Sequence, residues 1–102
     1  MNESAYSLEK IKVNLETSKI PWSELQRFFA SGQAIAVAAD LDLVEVACQF
    51  AVDNKVIVEQ WLRANQISRV SDLQAKDWLE NRYQVWAVVV KPWVLVQPIS
   101  PE

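Results

Sequence analysis

Histidine is absent from this chain of 102 residues, and glycine and cysteine occur once each, as Gly32 and Cys48. Each scarcity closes off a class of chemistry. Zinc sites draw on several Cys or His ligands, which one thiol and no imidazole do not supply. Ser-His-Asp and Cys-His nucleophilic machinery needs an imidazole base. Phosphate-cradling loops need glycines where backbone meets phosphate, so Gly32 alone excludes P-loop and dinucleotide fingerprints. A lone Cys48 forms no internal disulfide and gives no support to an oxidising compartment. Positive charge is also short. Ten Lys and Arg stand against 13 Asp and Glu, a net charge of −3, where phosphate binders normally carry a basic excess. Long apolar runs are missing too. The longest, 34–39 and 85–90, hold six residues each, far short of the roughly 20 needed to cross a bilayer. Glu3, Glu9, Lys10 and Lys12 interrupt the start of the chain, so no signal peptide is expected there. The expectations are a cytoplasmic protein that is not an enzyme, with no cofactor, no bound metal and no membrane partner.

What is present suits one globular domain. Half of the residues, 51%, are apolar and 23% are charged, a balance that argues against disorder. The expected domain spans 1–102, with its ordered core over about 4–97 and a loose tail at 98–102. Leu8, Ile11 and Leu15 form one stripe of a first helix from Ser4 to about Glu16. Pro21 suits the first turn of a second helix, which turns Trp22, Leu25, Phe28 and Phe29 inward and stops at Gly32. Ala34 to Ala38 reads as a short buried strand. Asp40 is the expected N-cap of a third helix bearing Leu43, Val44, Ala47, Phe50 and Ala51. After a turn at Asp53-Asn54, a fourth helix carries Val58, Trp61 and Leu62 on its inner face. Ile67 to Val70 suits a strand, and Ser71 or Asp72 caps a fifth helix with Leu73, Ala75, Trp78 and Leu79. The predicted class is α+β: about five helices on a small, mostly antiparallel sheet.

The segment from Val85 to Gln97 is rich in strand formers and apolar on both faces. Trp86, Val88 and Val90 point one way, and Val85, Ala87 and Val89 the other, so both faces should be covered. Thirteen extended residues reach roughly 43 Å, whereas a domain of this size is only about 30 to 35 Å across. Lys91-Pro92 lacks the Gly or Asn that two-residue hairpin turns prefer, so a bulge or kink is expected there. The excess length points to pairing beyond one protomer. Trp86, Val88, Val90, Trp93 and Leu95 are therefore the candidate interface, and a second copy of the chain or another protein is the expected partner. Both Trp86 and Trp93 also suit a core role.

Two further clusters have mainly structural readings. Asp40, Asp42 and Glu45 crowd a helix start, where carboxylates favour the positive end of the helix; cation binding is the alternative. Cys48 falls on or beside an apolar helix face and is expected to be an inert buried thiol.

The element order from Pro21 onward resembles a winged-helix domain, with Lys55 to Asn65 as its recognition helix. Lys55, Arg63 and Arg69 would then touch phosphates. Over 40–70, however, five acids face those three bases, so nucleic acid is the disfavoured alternative. Three longer strings carry a broader likeness: Ile20 to Ala30, Asp40 to Ala47, and Val85 to Gln97. They resemble a family of small bacterial proteins classed as a domain of unknown function, over about residues 8–97. The resemblance implies a bacterial cytoplasmic protein that forms its domain alone, and it brings no reaction, ligand or catalytic residue. The reading as a whole is a non-enzymatic protein-interaction module.

Overall fold

In the computed structural model, residues 17–99 are described, and they build a five-stranded mixed sheet with helices on both faces. The chain enters at β1 (Ser18–Pro21), turns through a 3-10 segment (Trp22–Leu25) into α1 (Gln26–Ala30), and crosses to β2 (Ala34–Val37). Then follow α2 (Leu43–Ala51), α3 (Lys55–Arg63), β3 (Ile67–Arg69), α4 (Asp72–Glu80), β4 (Gln84–Val90) and β5 (Trp93–Ile99). The strand order is β1-β4-β5-β2-β3. Only the β2–β5 pairing is parallel. The α+β class holds, with four α-helices among the described residues; the helix expected over residues 4–16 lies outside them.

Alternation along the strands sorts their side chains onto two cores. Ala34, Ala36, Val85, Ala87, Val94 and Val96 meet Trp22, Leu25, Ala75 and Trp78, with Phe28 and Phe29 packed alongside. Ile35, Val37, Ile67, Val88 and Leu95 face Leu43, Val46, Ala47 and Cys48, with Val58 and Trp61 alongside. The middle of the double-sided ribbon is thus covered on both sides within the protomer, while Trp86 and Val89 stay 43% and 53% exposed.

That coverage corrects the length argument. The Lys91–Pro92 peptide is cis, and Val90 pairs directly with Trp93. The chain reverses within two residues, as a turn with cis-proline at its third position allows without Gly or Asn. No bulge or kink extends the strand. β5 also continues to Ile99, pairing Pro98 with Val85 and Ile99 with Gln84, so these two residues belong to the sheet rather than to a tail. The β2 pairing ends at Val96, beyond which the proline's missing N–H is no loss.

Local signals explain the helix boundaries. Gly32 sits at φ +76 just past α1, where only glycine is unstrained. Asp53, Asn65 and Arg82 take the same left-handed geometry after α2, α3 and α4. In all four cases the next residue's N–H returns to a carbonyl in the last turn: Gln33 to Phe28, Asn54 to Gln49, Gln66 to Trp61 and Tyr83 to Trp78. Those bonds satisfy carbonyls that a helix end leaves open. At the other ends, Asp42, not Asp40, caps α2, its Oδ1 accepting from the Val44 N–H at 3.0 Å. Ser71 and Gln74 form a reciprocal capping box at α4. Leu62, expected on an inner face, is about half exposed instead.

The winged-helix packing is not met. Here α2 and α3 share one sheet face, and β4–β5 is a central hairpin instead of a peripheral wing.

Candidate functional site

The five candidate interface residues fall into three environments. Val88 and Leu95 are 2% and 0% exposed and pack under α2. They touch the protein's own helix, which corrects their assignment to a contact surface. Val90 and Trp93 are half-buried at the turn end of the same face. Trp86 is 43% exposed at the opposite end of β4. It pairs with Lys19 on the edge strand β1 and with Gln97 on β5. Gln97 closes the ground beside it, donating from Nε2 to the carbonyls of Ala38 at 2.8 Å and Leu41 at 2.7 Å.

At the turn end, a cleft of about 390 Å³ opens between the α2–α3 connection and the β4–β5 turn. Phe50, Val58, Val90 and Trp93 supply its apolar lining. Its polar lining comes from Gln49, Asp53, Asn54, Lys55 and Lys91. Both walls are braced. Asn54 caps α3 through Oδ1 on the Ile57 N–H and donates from Nδ2 to Gln49 Oε1 at 2.9 Å; Gln49 Nε2 in turn donates to Glu45 Oε2 at 2.7 Å. On the other side, Gln33 Nε2 donates to the Pro92 carbonyl at 2.9 Å. Gln49, Asp53 and Lys91 escaped the reading of the sequence. Gln49 and Asp53 come from the end of α2 and the turn after it, and Lys91 from the distant β4–β5 turn, so no local pattern announces their meeting.

The three candidate nucleic-acid contacts do not assemble into a basic strip. Lys55 and Arg63 stand at opposite ends of α3, about 12 Å apart along the axis. Glu59 lies between them and pairs with Arg63 at 3.9 Å. Arg69 ends the edge strand β3, with Nη1 close to Gly32. As for the carboxylates, Asp42 caps α2 and Glu45 accepts from Gln49. Among the described residues, no three His, Cys, Asp or Glu groups converge as a metal site. Cys48 is buried on the inner side of α2, against the sheet. No helix among those residues is long and apolar enough to cross a membrane.

Fold and surface together define a small α+β domain whose mixed sheet is helix-covered on both faces. The chain belongs to a protein family of unknown function, DUF2288, whose sequence model matches residues 9–98. The resemblance carried by the three strings is therefore borne out at the level of the family. Among solved structures, the NMR solution structure of PA1075 from Pseudomonas aeruginosa is similar at 43% identity. That likeness covers 99% of this chain and 93% of the other, with a TM-score of 0.79. No curated protein matches the chain.

Proposed function

We propose that this protein is a non-enzymatic, cytoplasmic interaction module that contacts a second copy of itself through the sheet shoulder around Trp86. The observation that carries this reading is the 43% exposure of Trp86. The helices on its face reach Val88 and Leu95 but stop short of the tryptophan. A large rigid indole loses little conformational entropy on contact and is enriched among residues that dominate interfaces. Lys19 and Gln97 beside it give the patch a polar rim, the arrangement typical of interface margins.

Sedimentation equilibrium across the micromolar range tests the reading. The wild-type chain should show a monomer–dimer equilibrium that Trp86→Glu weakens at least about tenfold, or about 1.4 kcal/mol. A wild-type chain that stays monomeric at tens of micromolar would remove the self-association reading.

A further inference from the structure

We propose that the cleft between the α2–α3 connection and the β4–β5 turn binds a small organic anion with an aromatic body. This site is separate from the Trp86 shoulder and does not depend on it. Its volume of about 390 Å³ falls in the range of small-molecule sites, which pair an apolar lining with a few placed polar groups. The lining here has that composition. Phe50, Val58 and Val90 offer apolar walls, and half-buried Trp93 leaves part of an indole open to stack on.

Charge selects the ligand class. Lys55 from α3 and Lys91 from the hairpin turn both line this one opening, against Asp53 as the single acid of the lining. This local excess occurs in a chain whose net charge is −3. Neither lysine has an ion-pair partner among the described residues. One carboxylate between them, with its ring on Trp93, would satisfy both features.

Two other clefts lack this combination. A larger one of about 440 Å³ lies beside Tyr83, but its lining has Arg82 as the one cation. Another, of about 180 Å³ beside Gln66, has no charged residue in its lining. Chemistry, more than size, singles out the hairpin cleft. The braced walls also matter, because an ordered site loses less entropy on binding.

The test is an NMR titration of the full chain with indoleacetate and phenylacetate, read at the Trp93 indole N–H and the Lys55 and Lys91 amides. Indoleacetamide and tryptamine serve as the neutral and cationic counterparts. The proposal predicts saturable shifts at Trp93 with millimolar or tighter affinity for the acids, and at least about tenfold weaker binding of the amide and the amine. Lys55→Gln and Lys91→Gln should each weaken the acids about three- to tenfold, as expected for losing one charge partner at an open site. Both lysines are exposed, and unchanged spectra away from the cleft will verify that each variant folds. Equal binding of all four probes, shifts centred elsewhere, or no saturable shift at Trp93 would overturn the proposal.

Discussion

The two faces of the sheet are packed in opposite ways. On one, the strands present Ala34, Ala36 and Ala87 beside three valines, and the bulk comes from the helical side. Trp22 is fully buried there, its ring 5.0 Å from that of Trp78 in an edge-on arrangement. Its Nε1 donates to the Ala75 carbonyl at 3.2 Å, so the indole is buried without an unpaired donor. On the other face, the strands present Ile35, Val37, Ile67, Val88 and Leu95, and α2 answers with small Ala47 and Cys48 beside Leu43 and Val46. The strands' own aromatic residues on that face stand toward its margins, at Trp86 and Trp93, while Phe50 and Trp61 pack in from the helices. The difference separates tryptophans that fill the core from those that reach the surface. Large rings over alanines fill one side and leave Val89 exposed at its turn end, while the aliphatic side leaves Trp86 exposed at one end and Trp93 half-buried at the other.

The largest test of that contrast is Trp22→Ala. It removes the ring at the centre of the aromatic face and should cost about 3–5 kcal/mol in urea-induced unfolding. Gln97→Leu comes next. It leaves the Leu41 carbonyl without its donor and the Ala38 carbonyl with the Leu41 N–H alone, and should cost about 1–3 kcal/mol by the same measurement. Trp86→Ser should cost about 1–2 kcal/mol, well below Trp22→Ala, because the residue is already 43% exposed and loses only part of a full burial. Ser71→Ala breaks the capping box under the aromatic face, for an expected loss of about 0.5–2 kcal/mol. Arg82→Gly should act in the other direction. A glycine relieves the left-handed geometry and should raise the unfolding free energy by about 0.5–1 kcal/mol. A Trp86 variant as destabilised as Trp22→Ala would erase the distinction between the two faces.

Much of this contrast was legible in the chain. The alternation from Val85 to Val90 shows two apolar faces, and the protein's own elements cover the middle of both. Gly32 marks the end of α1, and Ser71 caps α4. The rest depends on geometry that periodicity does not carry. Trp86 and Val88 share one face by the same two-residue rule, and only the reach of α2 separates the exposed residue from the buried one. Strand β1 was not foreseen, because Ser18 and Lys19 look like a loop until they pair with Ala87 and Trp86. Asp40 and Asp42 are equally good caps on paper, and the start of α2 decides between them. The turn at Lys91-Pro92 holds neither Gly nor Asn, so no local signal marks it as a tight hairpin, and only the Val90–Trp93 pairing reveals it. Of the candidate site, the strand residues were visible, but the meeting of Lys55 with Lys91 required the fold.

One experiment addresses the central claim, that the tryptophans of the aromatic face are sealed while the shoulder at Trp86 is open until a partner covers it. A soluble paramagnetic agent, added at low and high protein concentration, reports on all five indole N–H groups at once. Trp22 and Trp78 should stay protected throughout, while Trp86 should broaden strongly in dilute protein and become shielded as concentration rises. A Trp86 signal already shielded at the lowest concentration, or equally broadened at every concentration, would contradict the account.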